Sequence, residues 1–150
     1  RFAAVPEHST EEGEPVKDTI TLHVSAQALF DIMKKSLILE TGEKKPDIRP
    51  GYSWSKKTGP RRTRVTITEW KESAVYAARF VTDGKTLHVR YDLEPAGKDQ
   101  VRVTYSHELE GTGFLVRRKE KAAVRQALTL LRNVETAILR QQESTDQVAS

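Results

Sequence analysis

The sequence predicts an α+β domain in which a curved antiparallel sheet, a first strand plus a five-stranded meander, packs on one long C-terminal helix. Two patterns and one length argument predict it. Residues 117–142 (RRKEKAAVRQALTLLRNVETAILRQQ) contain no Gly or Pro. Their apolar stripe, Val124, Ala127, Leu128, Leu131, Val134, Ala137 and Ile138, recurs at steps of three and four. Residues 51–109 instead alternate apolar and polar side chains with period two over five runs. A helix over 117–142 is about 39 Å long and too one-sided to stand alone, so the strands must cover its apolar face.

The elements follow in order. Residues 1–16 are acidic, polar and broken by Pro6, Gly13 and Pro15, and are expected to form a flexible arm. Residues 18–24 (DTITLHV) set Ile20, Leu22 and Val24 on one face of a strand. Ser25 offers an N-cap hydroxyl to a helix with Leu29, Ile32, Met33, Ser36, Leu37 and Glu40 at helical spacing, and Thr41-Gly42 stops it. A charged connector with two prolines follows. The five strands are GYSWSKK (51–57), RTRVTITEW (62–70), SAVYAARFV (73–81), KTLHVRYDL (85–93) and QVRVTYSHEL (100–109). The domain is therefore expected over 17–142, with a disordered tail at 143–150.

Turn lengths give the register. A two-residue Asp83-Gly84 hairpin turn pairs Phe80 with Leu87, Ala78 with Val89 and Tyr76 with Tyr91. A Lys71-Glu72 turn pairs Ala74 with Glu69, Tyr76 with Ile67 and Ala78 with Val65. A four-residue turn at 58–61 sets Trp54 beside Val65, and a five-residue loop at 95–99 sets Leu93 beside Val101 and Tyr91 beside Val103. All four turns put the apolar residues on one face, and a one-residue slip would turn a strand's apolar set outward. That inner face carries Tyr52, Trp54, Tyr76, Phe80, Tyr91 and Tyr105, together with Glu69 and His107.

The order strand, helix, five strands, long helix, with VSAQALFDIMKKSL, GYSWSKK, VRYDLEP and VTYSHELEG, resembles the START-like helix-grip superfamily. This group includes birch-pollen-allergen and polyketide-cyclase-like domains. Within it the chain resembles a small bacterial family of unknown function. The resemblance covers roughly residues 16–139 and implies a hydrophobic or amphipathic small molecule bound beneath the long helix. The chain departs from larger members in having one obvious helix between its first two strands, which implies a smaller or filled cavity.

The chemistry visible in the residues is that of a binding domain rather than an enzyme. Trp54, Tyr76, Phe80, Tyr91, Tyr105 and Leu131 are the expected ligand-binding walls, with phenol hydroxyls to orient a bound molecule. No catalytic residues are assigned: Glu69 and His107 share a face but sit near strand ends, and the serines lack a GxSxG elbow. The four histidines lack metal spacing and the chain has no cysteine, so no metal or cofactor is expected. Gly111-Thr112-Gly113 is read as a strand-to-helix turn rather than part of a dinucleotide fingerprint.

Charge supplies the alternative. Arg1 against Glu7, Glu11, Glu12 and Glu14 leaves residues 1–16 at −3, so with an overall +4 the rest of the chain holds +7. Lys56, Lys57, Arg61, Arg62 and Arg64 cluster near the first hairpin tip. The expected register sets Arg64 opposite Arg79, and Arg79 opposite His88, on the outer face. Such a row suits an anionic partner, nucleic acid or acidic protein, with a filled interior. Aromatic side chains are not interleaved with these cations, which speaks against single-stranded nucleic acid. No run approaches the length of a membrane span, so integral membrane association is not expected. Cysteine-free composition fits a reducing, cytoplasmic location.

Overall fold

The computed structural model describes residues 16–110 and 114–149. The elements are β1 (Val16–Leu22), α1 (Ala26–Thr41), β2 (Ser53–Thr58), β3 (Arg61–Lys71), β4 (Val75–Thr82), β5 (Lys85–Gly97), β6 (Gln100–Leu109) and α2 (Phe114–Ala149). All six strands form one antiparallel sheet in the order β1-β6-β5-β4-β3-β2. Both helices lie on the same face. α2 rests on β1 and β6, and α1 touches β2, β5 and α2. Leu22, Val65, Ile67, Val101 and Val103 point from the sheet into the core between these layers, where they meet Leu29 and Phe30 of α1.

α1 begins and ends where its sequence signals stand. The Ser25 Oγ accepts the Ala28 amide at 3.0 Å, satisfying one of the orphan donors of the first turn. Gly42 closes the helix with φ 74°, a left-handed value that a side chain disfavours. α2 runs further than expected at its C-terminal end. The segment expected as a disordered tail from residue 143 is helical as far as Ala149, because nothing in it is a Gly or Pro that would stop the helix. The expected arm and the Gly111-Thr112-Gly113 turn lie outside the described residues, apart from Val16, which is buried at the start of β1.

The β4–β5 hairpin has the expected register throughout, with Thr82 opposite Lys85 and Tyr76 opposite Tyr91. The β2–β3 pairing sets Trp54 opposite Val65, also as expected. The β3–β4 and β5–β6 pairings differ from expectation by three residues next to their loops and, past a one-residue irregularity in each, by two. Lys71 pairs with Val75, leaving the three-residue loop Glu72-Ser73-Ala74, in which Ser73 takes a φ of 59°. Strand β5 continues to Gly97, so Tyr91 faces Tyr105 and Leu93 faces Val103. A shift of two preserves the inward face, since the side-chain period is two.

One irregularity does change a face. The register slips between Ile67 and Glu69, a β-bulge that inserts one residue into β3. Beyond it the alternation reverses. Glu69, expected inward, pairs with Ala77 and turns to the outer face. There its carboxylate meets the Arg90 guanidinium, Oε1 to Nη1, at 2.6 Å. Trp70 turns inward instead, and its ring lies 4.7 Å from that of Phe30. The acid–base pair of Glu69 and His107 imagined for the inner face is therefore not assembled.

A candidate ligand cleft

Six rings form a continuous run across the inner face. Phe30 packs on Trp70, Trp70 stands edge-on to Tyr76, and Tyr76 stacks on Tyr91. Tyr91 tilts against Tyr105, and Tyr105 leans toward His107. The run exists because inward positions on β3, β4, β5 and β6 fall opposite one another in register.

Beside the middle of this run lies an open cleft of about 230 Å³. Its floor is Tyr76 and Tyr91. One wall is α1, through Leu29, Ile32, Met33 and Leu37, and the other is α2, through Ala127, Leu131 and Val134. Leu130 lies at the mouth, 57% exposed despite its size. The lining is almost wholly apolar, Ser36 and the two phenols excepted. A larger depression of about 320 Å³ lies toward the ends of the helices, but Asp31, Lys35, Gln141, Gln142 and Thr145 line it and make it polar.

Of the six expected wall residues, Tyr76, Tyr91 and Leu131 line the cleft. The other three lie elsewhere. Trp54 is buried and its indole Nε1 donates to Glu40 of α1 at 2.9 Å, which fastens the helix to β2. Phe80 is partly buried with the Lys56 ammonium 5.3 Å over its ring, a cation–π contact. Tyr105 is buried beneath α2, and its hydroxyl shares a hydrogen bond of 3.0 Å with His107 Nδ1. The α1 wall was visible in the sequence as an apolar stripe, but nothing local shows that a stripe bounds a cleft.

Two buried glutamates on α2 were not singled out either. Glu120 Oε1 accepts the Leu109 amide at 2.6 Å, and Glu135 Oε2 accepts the His23 amide at 2.5 Å. They hold the helix to the end of β6 and to the residue following β1. Arg132 Nη1 pairs with Glu135 Oε1 at 2.9 Å. The signal was present: Glu120, Val124, Leu131, Glu135 and Ile138 share the helix's inward face, and an acid there needs a backbone partner.

Electrostatics within the run follow burial. Desolvation pushes the phenols of Tyr76, Tyr91 and Tyr105 up, so they stay protonated, and the charge of Glu40 adds to the effect at Tyr76. Burial also lowers His107, against the opposing charge of Glu120. Among the described residues, no group of three or more His, Asp or Glu side chains is placed to hold a metal. Among them, too, no helix is long and apolar enough to cross a membrane.

The outer face divides into two halves. Across β5 and β6 three basic side chains have carboxylate partners: Arg90 with Glu69 and Asp92, Arg102 with Glu94, and His88 with Glu110. Across β3 and β4, Arg62, Arg64 and Arg79 are exposed, and among the described residues none has a carboxylate within 4.0 Å. Arg79 lies opposite His88 as expected, but Arg64 lies opposite Val81, one pleat away from Arg79.

The sequence pattern of a domain of unknown function, DUF3284, matches residues 17–125, most of the described chain. The chain belongs to this family. No curated protein matches the sequence. Among solved structures, the fold of this DUF3284 domain is similar to a START superfamily protein from Mycobacterium smegmatis. The TM-score is 0.56 at 16% identity, over 86% of this chain and 99% of that one. It is similar to a norcoclaurine synthase point mutant from Thalictrum flavum, in complex with a transition-state analogue. Here the TM-score is 0.58 at 12% identity, over 86% of this chain and 96% of the other. It is also similar to DynU16, from the dynemicin biosynthetic locus, with a TM-score of 0.60 at 13% identity. That match covers 88% of this chain, which spans about half, 48%, of DynU16. The six-stranded sheet gripped by a C-terminal helix is thus the START-like, helix-grip fold.

Proposed function

We propose that this domain binds a small hydrophobic or amphipathic molecule in the cleft between α1, α2 and the Tyr76–Tyr91 floor, and that it binds without catalysing a reaction. The observation that carries this reading is the cleft itself: an apolar recess opening to solvent beside an exposed leucine. An apolar concavity with a few polar groups at its base is the usual form of a small-molecule site. At about 230 Å³ the recess lies below the range of roughly 300–1,000 Å³ common for drug-sized ligands, so the expected occupant is a ring or two, or a short chain. That a norcoclaurine synthase of this fold holds a transition-state analogue is consistent with small-molecule occupancy. Binding alone is favoured because the lining offers phenols held protonated and one serine, with no carboxylate or imidazole among the described residues that line it. Native mass spectrometry of the purified domain, followed by solvent extraction, tests the reading. A co-purifying apolar molecule supports it, and its extract gives the chemical class. Bare protein that also takes up no added small aromatic would refute it.

A second reading rests on the uncompensated Arg62, Arg64 and Arg79. This half of the outer face would attract an anionic partner, nucleic acid or an acidic protein, by charge. Arg64→Glu with Arg79→Glu is expected to abolish retention on an anionic polymer at low salt. Unchanged retention would remove the idea.

A further inference from the structure

The floor of the cleft has a polar feature that the packing leaves unused. Tyr76 and Tyr91 face each other across β4 and β5, their rings 5.9 Å apart at the centroids and inclined by only 16°. Tyr76 is 6% exposed. Tyr105, next in the run, shares its hydroxyl with His107. Among the described residues neither the Tyr76 nor the Tyr91 hydroxyl makes a hydrogen bond, although both residues line the cleft.

Among the described residues the Tyr52 hydroxyl is the one buried side-chain polar atom left without a partner, so the Tyr76 and Tyr91 hydroxyls are not sealed off but open to the cleft, where a ligand can reach them. Two such groups side by side on the floor of one recess have the layout of a recognition site, with apolar walls for a ligand's body and two donors for its polar end. The sign of the polar end follows from the surroundings. Both phenols remain protonated and so can donate, and the negative charge of Glu40 acts on Tyr76. Glu40 is itself paired with Lys56 at 3.1 Å, so an anionic ligand group is disfavoured chiefly by the loss of its hydration in an apolar recess, a cost that a neutral acceptor largely escapes.

We infer that the cleft selects a small, uncharged ring compound bearing a carbonyl oxygen, which accepts hydrogen bonds from the Tyr76 and Tyr91 hydroxyls. This rests on the reading of the cleft as a binding site and adds the chemistry of its ligand. Indane and indanone test it, since they share a bicyclic frame and differ by one carbonyl. Dissociation constants for both are measured by calorimetry on the wild-type domain and on Tyr76→Phe/Tyr91→Phe. Wild type is expected to bind indanone roughly tenfold more tightly than indane, the effect of two neutral hydrogen bonds. The double variant should keep its affinity for indane and lose most of that preference. Equal binding of both compounds by wild type would overturn the carbonyl assignment while leaving the cleft reading intact. A preference that survives in the double variant would overturn the role of the phenols. Failure of wild type to bind either compound would overturn the cleft reading itself.

Discussion

Ala127→Trp is expected to weaken binding of indane and indanone by more than about tenfold while leaving the domain folded. Ala127, Leu130, Leu131 and Val134 stand at spacings of three and four on α2, so all four present to the same recess. An indole at the smallest of these positions would occupy much of the roughly 230 Å³ that the ligand needs. Overpacking of this kind costs about 1–3 kcal/mol in a closed core. The cleft is open, so the ring can swing toward its mouth and the cost should fall at the lower end. Arg125→Trp, on an exposed part of the same helix, is the control and should bind as wild type does. Calorimetric titration of the two variants checks the prediction. Undiminished binding by Ala127→Trp would place the ligand elsewhere.

Phe30→Ala is expected to produce the largest loss of stability among single substitutions outside the cleft. The ring is fully buried, lies against Trp70 and starts the aromatic run that joins α1 to the sheet. Truncating a buried Phe costs about 3–5 kcal/mol through lost transfer energy and the cavity left behind. That is a large share of the 5–15 kcal/mol typical of a whole domain. Urea unfolding followed by tryptophan fluorescence measures it, and Trp70 reports the site directly. A loss below about 1 kcal/mol would mean that α1 is held mainly by its Ser25 cap and the Trp54–Glu40 hydrogen bond.

The strands mark where the sequence was informative and where it was not. Over most of the β3–β4 and β5–β6 pairings the face assignments survived wrong turn lengths, at residues 71–75 and 95–100, because the register there is displaced by two residues and the strand period is two. They failed at Glu69 and Trp70, where one inserted residue reverses the alternation. A bulge depends on how two strands meet and leaves little local trace, and Thr68 looks like any other strand residue. The pairing of Tyr76 with Tyr91 was legible because Asp83-Gly84 specifies its hairpin. The three expected walls that lie elsewhere, Trp54, Phe80 and Tyr105, do face inward. What period two cannot say is what covers each inward side chain: α1 covers Trp54, α2 covers Tyr105, and Lys56 of β2 lies over Phe80. The recess remains open only between the helices, above β4 and β5, and that outcome depends on the packing of elements far apart in sequence.

The measurement that bears most directly on the central claim uses Met33, the single methionine in the sequence, whose side chain lines the cleft. Selective ¹³C labelling of its methyl group gives one NMR signal at the site itself. Titration with indanone is expected to move that signal saturably, with the same dissociation constant as calorimetry reports. A Met33 signal that stays in place up to the solubility limit of the compound, in a domain shown to be folded, would contradict ligand binding in the cleft.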